Sequence, residues 1–82
     1  MFLPSKFVTP EQALLTLGGQ VLACLTTPAT VSETWLRVKA WRSDRDIHIP
    51  VPFWWFALAI DSLYAIGAIV PVGDDLQRVE RA

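Results

Sequence analysis

The chain has 82 residues and a net charge of −1, which allows one small domain and gives no electrostatic case for a nucleic-acid protein. Its composition is 52% hydrophobic with four tryptophans, whereas a chain this short buries only about 60% of its unfolded surface, so the excess points to a partner. One cysteine, Cys24, excludes an internal disulfide or a multi-thiolate metal site, and the one histidine, His48, has no catalytic partner nearby in sequence.

The N-terminal MFLPSKFV carries Phe2, Leu3, Phe7 and Val8 around Pro4, too apolar for a solvated tail and too irregular for a helix. Phe2 and Leu3 are therefore candidate partner contacts. Pro4, Ser5 and Lys6 stand where a signal peptide would need an unbroken apolar run, so the cytoplasm is the expected compartment. Thr9-Pro10-Glu11-Gln12 then has the form of a capping box with proline at the first helical position, and predicts a helix over about 10–25. Leu14, Leu17, Val21, Cys24 and Leu25 form its main stripe, while Leu15 and Leu22 widen the apolar surface beyond what one contact needs. Gly18 and Gly19 each cost roughly 1 kcal/mol relative to alanine. The favoured reading is close packing of another helix there, against the approach of a partner's backbone. Cys24, on the core stripe, reads as an inert small hydrophobe.

Thr26 to Ala29 is a connector, and Thr30-Val31-Ser32-Glu33 is a second capping box. The helix it opens, 31–42, carries Val31, Trp35, Val38 and Trp41 on one stripe, with Glu33 placed to pair with Arg37. Arg37, Lys39, Arg42 and Arg45 form the candidate nucleic-acid contact. Glu33, Asp44 and Asp46 offset them, so the favoured reading is a solvated face, with phosphate contact inside a larger complex left open. Residues 43–51 form a polar loop whose Ile47, Ile49 and Val51 alternate as in a short strand.

Pro52 to Gly67, PFWWFALAIDSLYAIG, predicts a third helix over 52–66 that is apolar almost all round. At the helical period Phe53, Phe56, Ile60, Leu63 and Tyr64 fall on one side and read as core. Trp54, Trp55, Leu58, Asp61, Ser62 and Ala65 fall on the other and read as a face for another protein. Asp61 reads equally as a half-exposed helix residue and as a carboxylate offering a directional bond to a partner. No Lys or Arg occurs from Asp46 to Gln77, so this helix cannot bind phosphate. A membrane span over 51–72 is opposed by Asp61 near its centre, which costs about 2.5–3.5 kcal/mol on insertion scales, and by acidic flanks.

Ala68 to Glu80, with the turn Gly73-Asp74-Asp75, predicts a hairpin in which Pro71 needs an outer edge. Three helices and a C-terminal hairpin over residues 1–82 give an α+β domain of winged helix-turn-helix type. In such a domain the third helix ordinarily offers polar and basic groups to bases; this one offers Trp54, Trp55 and Leu58. A DNA-binding transcriptional regulator is therefore the alternative rather than the first reading, and a small membrane protein the next. No nucleophile with a base and no paired carboxylates stand out, so neither catalysis, a cofactor nor a metal is expected.

The segments FLPSKFVTPEQALLTLGGQVLACL, TVSETWLRVKAW and PVPFWWFALAIDSLYAIGAI, taken together, resemble the small middle component, type six, of bacterial three-component ABC-ATPase systems. The resemblance covers nearly the whole chain. It rests on the L-P-x-K-F start, the T-V-S-x-x-W opening of the second helix and the F-W-W-F-A-L-A-I-D run, none of them catalytic. It implies an SMC/Rad50-like ABC ATPase subunit and an effector subunit as partners in anti-phage or anti-plasmid defence. DNA, if bound by such a complex, would be met only weakly by this chain.

Overall fold

Two helix starts written into the sequence set the frame. A computed structural model describes residues 9–47 and 49–80; the candidate contacts Phe2 and Leu3, and His48, lie outside the described residues. The elements are α1 (Pro10–Cys24), α2 (Val31–Asp44), α3 (Phe53–Ala65), β1 (Ile69–Val72) and β2 (Asp75–Arg78). At α1 the Gln12 N–H donates to Thr9 Oγ1 at 3.1 Å and the Thr9 N–H donates back to Gln12 Oε1 at 3.2 Å. Thr30 and Glu33 repeat the exchange at α2, both bonds at 3.1 Å. Each box satisfies two N–H groups that a helix start leaves without partners.

α3 starts differently. Pro52 occupies the cap position, so the helix starts one residue later than expected, and no side chain caps this end. Its other end is closed by Gly67 at φ 76°, where the Ala68 N–H reaches the Leu63 carbonyl at 2.8 Å and the Gly67 N–H reaches Tyr64 at 3.1 Å. That double closure is a Schellman motif, which wants a residue without a Cβ at the left-handed position.

β1 and β2 pair antiparallel with Pro71 opposite Leu76. Leu76 sends both its backbone groups the other way, accepting from the Ala29 N–H at 3.1 Å and donating to the Ala29 carbonyl at 2.7 Å. Pro71 and Leu76 are therefore a non-hydrogen-bonded pair, and the nitrogen of Pro71 faces the outer edge, where its lack of a proton costs nothing. The α1–α2 connector joins the hairpin as an abbreviated third strand, which docks the wing onto the helices.

α1 packs against both α2 and α3. Val21, Val38, Phe56, Ile69 and Thr34 are fully buried at the centre. Thr34 is tolerated there because its hydroxyl donates to the Thr30 carbonyl at 2.7 Å. α2 meets α3 through rings, with Trp35 lying 5.6 Å from Phe53 and 4.8 Å from Phe56 between centroids.

Three expectations are corrected. Ile47, Ile49 and Val51 are not in a strand; the edge of β2 that could have received them is taken by Ala29, and the Ile49 carbonyl accepts from Arg42 instead. Glu33 and Arg37 do not pair, because the carboxylate closes the α2 cap while the guanidinium turns to the carbonyls of Cys24 and Thr27, at 3.2 and 2.9 Å. α3 is rotated relative to the predicted division: Trp55, assigned to the outer face, is 7% exposed, whereas Phe53 and Tyr64, assigned to the core, are 52% and 59% exposed. A helix apolar on every side gives periodicity no polar stripe to orient it.

Candidate functional site

The rotation of α3 makes its outer face larger than the sequence indicated. Trp54, Leu58, Asp61 and Ala65 recur at helical spacing and are all exposed, and Phe53 and Tyr64 extend the same side. Trp55, turned inward, braces Trp54 edge-on at 5.3 Å between ring centroids. Asp61 makes no hydrogen bond or ion pair among the described residues, while its neighbour Ser62 is occupied with the Leu58 carbonyl at 2.9 Å. A single carboxyl group thus stands inside an apolar surface with no bond to the described residues, the mixed character of an interface anchor.

The basic group behaves in the opposite way. Arg37 closes the C-terminal end of α1, which has no basic residue of its own in its last turn. Arg42 donates to Gln20 Oε1 at 2.8 Å and to the Ile49 carbonyl at 2.7 Å, tying α2 to α1 and to the following loop. Burial lowers its pKa from the ordinary value. Lys39 Nζ lies 5.5 Å from the Trp35 ring centroid and the Arg45 guanidinium 3.9 Å from that of Trp41, both within cation–π range. The four cations do not form one outward plane, and the structure uses two of them as internal braces.

A second apolar feature escaped sequence reasoning as a site. Between α1 and α3 runs a groove of about 510 Å³ walled by Leu14, Leu15, Leu22, Leu63 and Ile66, with Gly18 and Gly19 along it and Glu11 and Ser62 at its rim. The surplus of Leu15 and Leu22 on α1, and the Gly18-Gly19 pair beside them, were its visible signals. What hid it was the pairing of α1 with α3, which no periodicity states.

Cys24 is buried, and burial raises its thiol above the ordinary value against the smaller opposing pulls of Arg45 and Arg37. Among the described residues no three His, Cys, Asp or Glu side chains gather where a metal could sit. No helix among them is long and apolar enough to cross a membrane.

No curated protein and no solved structure matches the chain. The family model described as ABC-three component (ABC-3C) system Middle Component 6 matches residues 3–81. With the match running from the N-terminal L-P-x-K-F through all three helices and the wing, the chain belongs to the Middle Component 6 family of ABC-three component systems.

Proposed function

We propose that this chain is a non-catalytic adaptor that holds an SMC/Rad50-like ABC ATPase subunit and an effector subunit in one cytoplasmic complex acting against phage or plasmids. The observation that carries this reading is the outer face of α3. In the position where a winged helix would read DNA, the helix presents Trp54 and Leu58, 49% and 42% exposed, around Asp61, which has no partner among the described residues. Neither bases nor phosphates suit such a surface, whereas a protein partner offering an apolar pocket and an Arg or a backbone N–H does.

The test is co-purification of the tagged chain with the other two components of its system. Trp54→Ala, Leu58→Ala and Asp61→Ala should each keep the thermal unfolding midpoint near that of the parent. Capture of one component should weaken by about 2 kcal/mol or more at a true anchor, roughly 30-fold. Full capture by all three variants would remove the support for an adaptor using this face.

A further inference from the structure

Gly19 lies in the middle of α1, where glycine is among the poorest helix formers, and nothing within the described chain requires it. Its backbone is not left-handed, and a Cβ placed on it would meet no atom within 4 Å. Gly18 differs, because a Cβ there would sit 3.4 Å from Leu63 Cδ2, so its smallness serves the packing of α1 on α3. Gly19 opens instead onto the groove between the two helices. The two most exposed large apolar side chains among the described residues, Leu15 at 73% and Ile66 at 67%, line that same groove. Neither α1 nor α3 contains Lys or Arg, and their ionised groups are Glu11 at the rim and Asp61 beside the rim residue Ser62.

We infer that this groove receives an amphipathic helix from one of the other two components of the system, laid along α1 with its backbone close to Gly19 and a Lys or Arg directed to Glu11. The inference rests on the adaptor reading and gives it a second face. One component docks on the Trp54–Leu58 side of α3, the other in the groove, with Ser62 between them. A helix fits because Glu11 to Leu22 spans about 16 Å at 1.5 Å per residue, room for anchors at i, i+4 and i+7. A strand would need an open backbone edge, and both walls are helices whose backbone groups are already bonded. The charge pattern selects a cationic occupant over an acidic one.

The deciding experiment replaces Gly19 with Leu in the full chain and scores capture of the ABC ATPase component and of the effector separately, beside Trp54→Ala. Gly19→Leu should hold or raise the unfolding midpoint, since leucine favours a helix and the site is open, and should weaken capture of one component at least tenfold while sparing the other. Leu15→Glu, at an exposed position, should repeat the loss, and Glu11→Lys should reduce the same capture several-fold at low salt. Trp54→Ala should affect the opposite component. If Gly19→Leu and Leu15→Glu capture both components normally while Trp54→Ala loses one, the groove assignment is overturned and the adaptor reading stands. If no variant loses either component, both fall. Two further results would also overturn the groove assignment: destabilisation by Gly19→Leu that matches, without adding to, deletion of residues 2–7 would place the chain's own N-terminal segment there, and conversion of a dimer to a monomer would place a second copy there.

Discussion

α2 and α3 divide the molecule's chemistry in a way opposite to a DNA-reading winged helix. α2 is rich in charge, yet three of its five charged groups are turned to the fold: Arg37 on the end of α1, Arg42 on Gln20 and Ile49, Glu33 on its own cap. α3 is nearly free of charge, yet it leaves Trp54, Leu58 and Tyr64 exposed around Asp61, which has no partner among the described residues. Exposure of charged groups is ordinary and says little about function, whereas exposed large rings beside a single carboxylate are informative. Around the core, polar side chains of α2 brace neighbouring elements while large apolar side chains of α3 are left exposed.

The largest effect that could break this division lies within α3 itself. Phe56→Ala removes a ring that is fully buried at 0% exposure and should cost about 3–5 kcal/mol, a large part of the roughly 5–15 kcal/mol that holds a small domain together. Trp54→Ala, two residues away, should stay within about 1 kcal/mol. Thermal and denaturant unfolding of the two variants checks this, and equal destabilisation would mean that the Trp54 side is core.

An intermediate effect belongs to α2. Arg42→Ala leaves Gln20, 9% exposed, without its donor and frees the Ile49 carbonyl, so stability should fall by about 1–3 kcal/mol. Competition binding should meanwhile show weak, non-selective DNA affinity that Lys39→Ala lowers more than Arg42→Ala does, because such binding counts phosphate contacts and the Arg42 guanidinium is committed to Gln20 and Ile49. A variant at Arg42 that keeps full stability but abolishes tight DNA binding would make α2 a nucleic-acid surface.

Much of this frame was legible because local chemistry fixes it. The Thr9–Gln12 and Thr30–Glu33 boxes, Gly67 past α3 and the Gly73 turn each state a backbone requirement within a few residues, and the winged order follows from their sequence. The exposed side of α3 was half legible: Trp54, Leu58 and Asp61 are exposed as expected, whereas Trp55 is buried and Phe53 exposed, because neighbouring apolar residues carry no mark of which one meets the core. The braces of Arg37 and Arg42, and the α1–α3 groove, join positions far apart in sequence; a solvated arginine and a structural one look alike until the carbonyl it reaches is known.

The smallest expected effect tests whether the charges of α2 serve its fold, and the two capping boxes supply their own control. The Glu33 carboxyl is held below its ordinary range, first by the Thr30 backbone N–H, then by the Thr30 side chain, with Arg37 adding a smaller pull. A carboxylate whose pKa is depressed in the folded state stabilises that state above the unfolded pKa, about 4.3. The contribution is lost as pH falls through the lower folded value. α1 uses Gln12 in the equivalent role, which does not titrate. Acid should therefore loosen the start of α2 while leaving the start of α1 closed, a difference that amide hydrogen exchange at the first turn of each helix can resolve. Glu33→Gln should retain the Thr30 bond and remove this step, so its stability should fall less than the parent's as pH drops below the unfolded carboxyl value of about 4.3, with little difference at neutral pH. Identical profiles for the parent and Glu33→Gln would show that the carboxylate is a solvated bystander and that the fold of α2 does not depend on its charge.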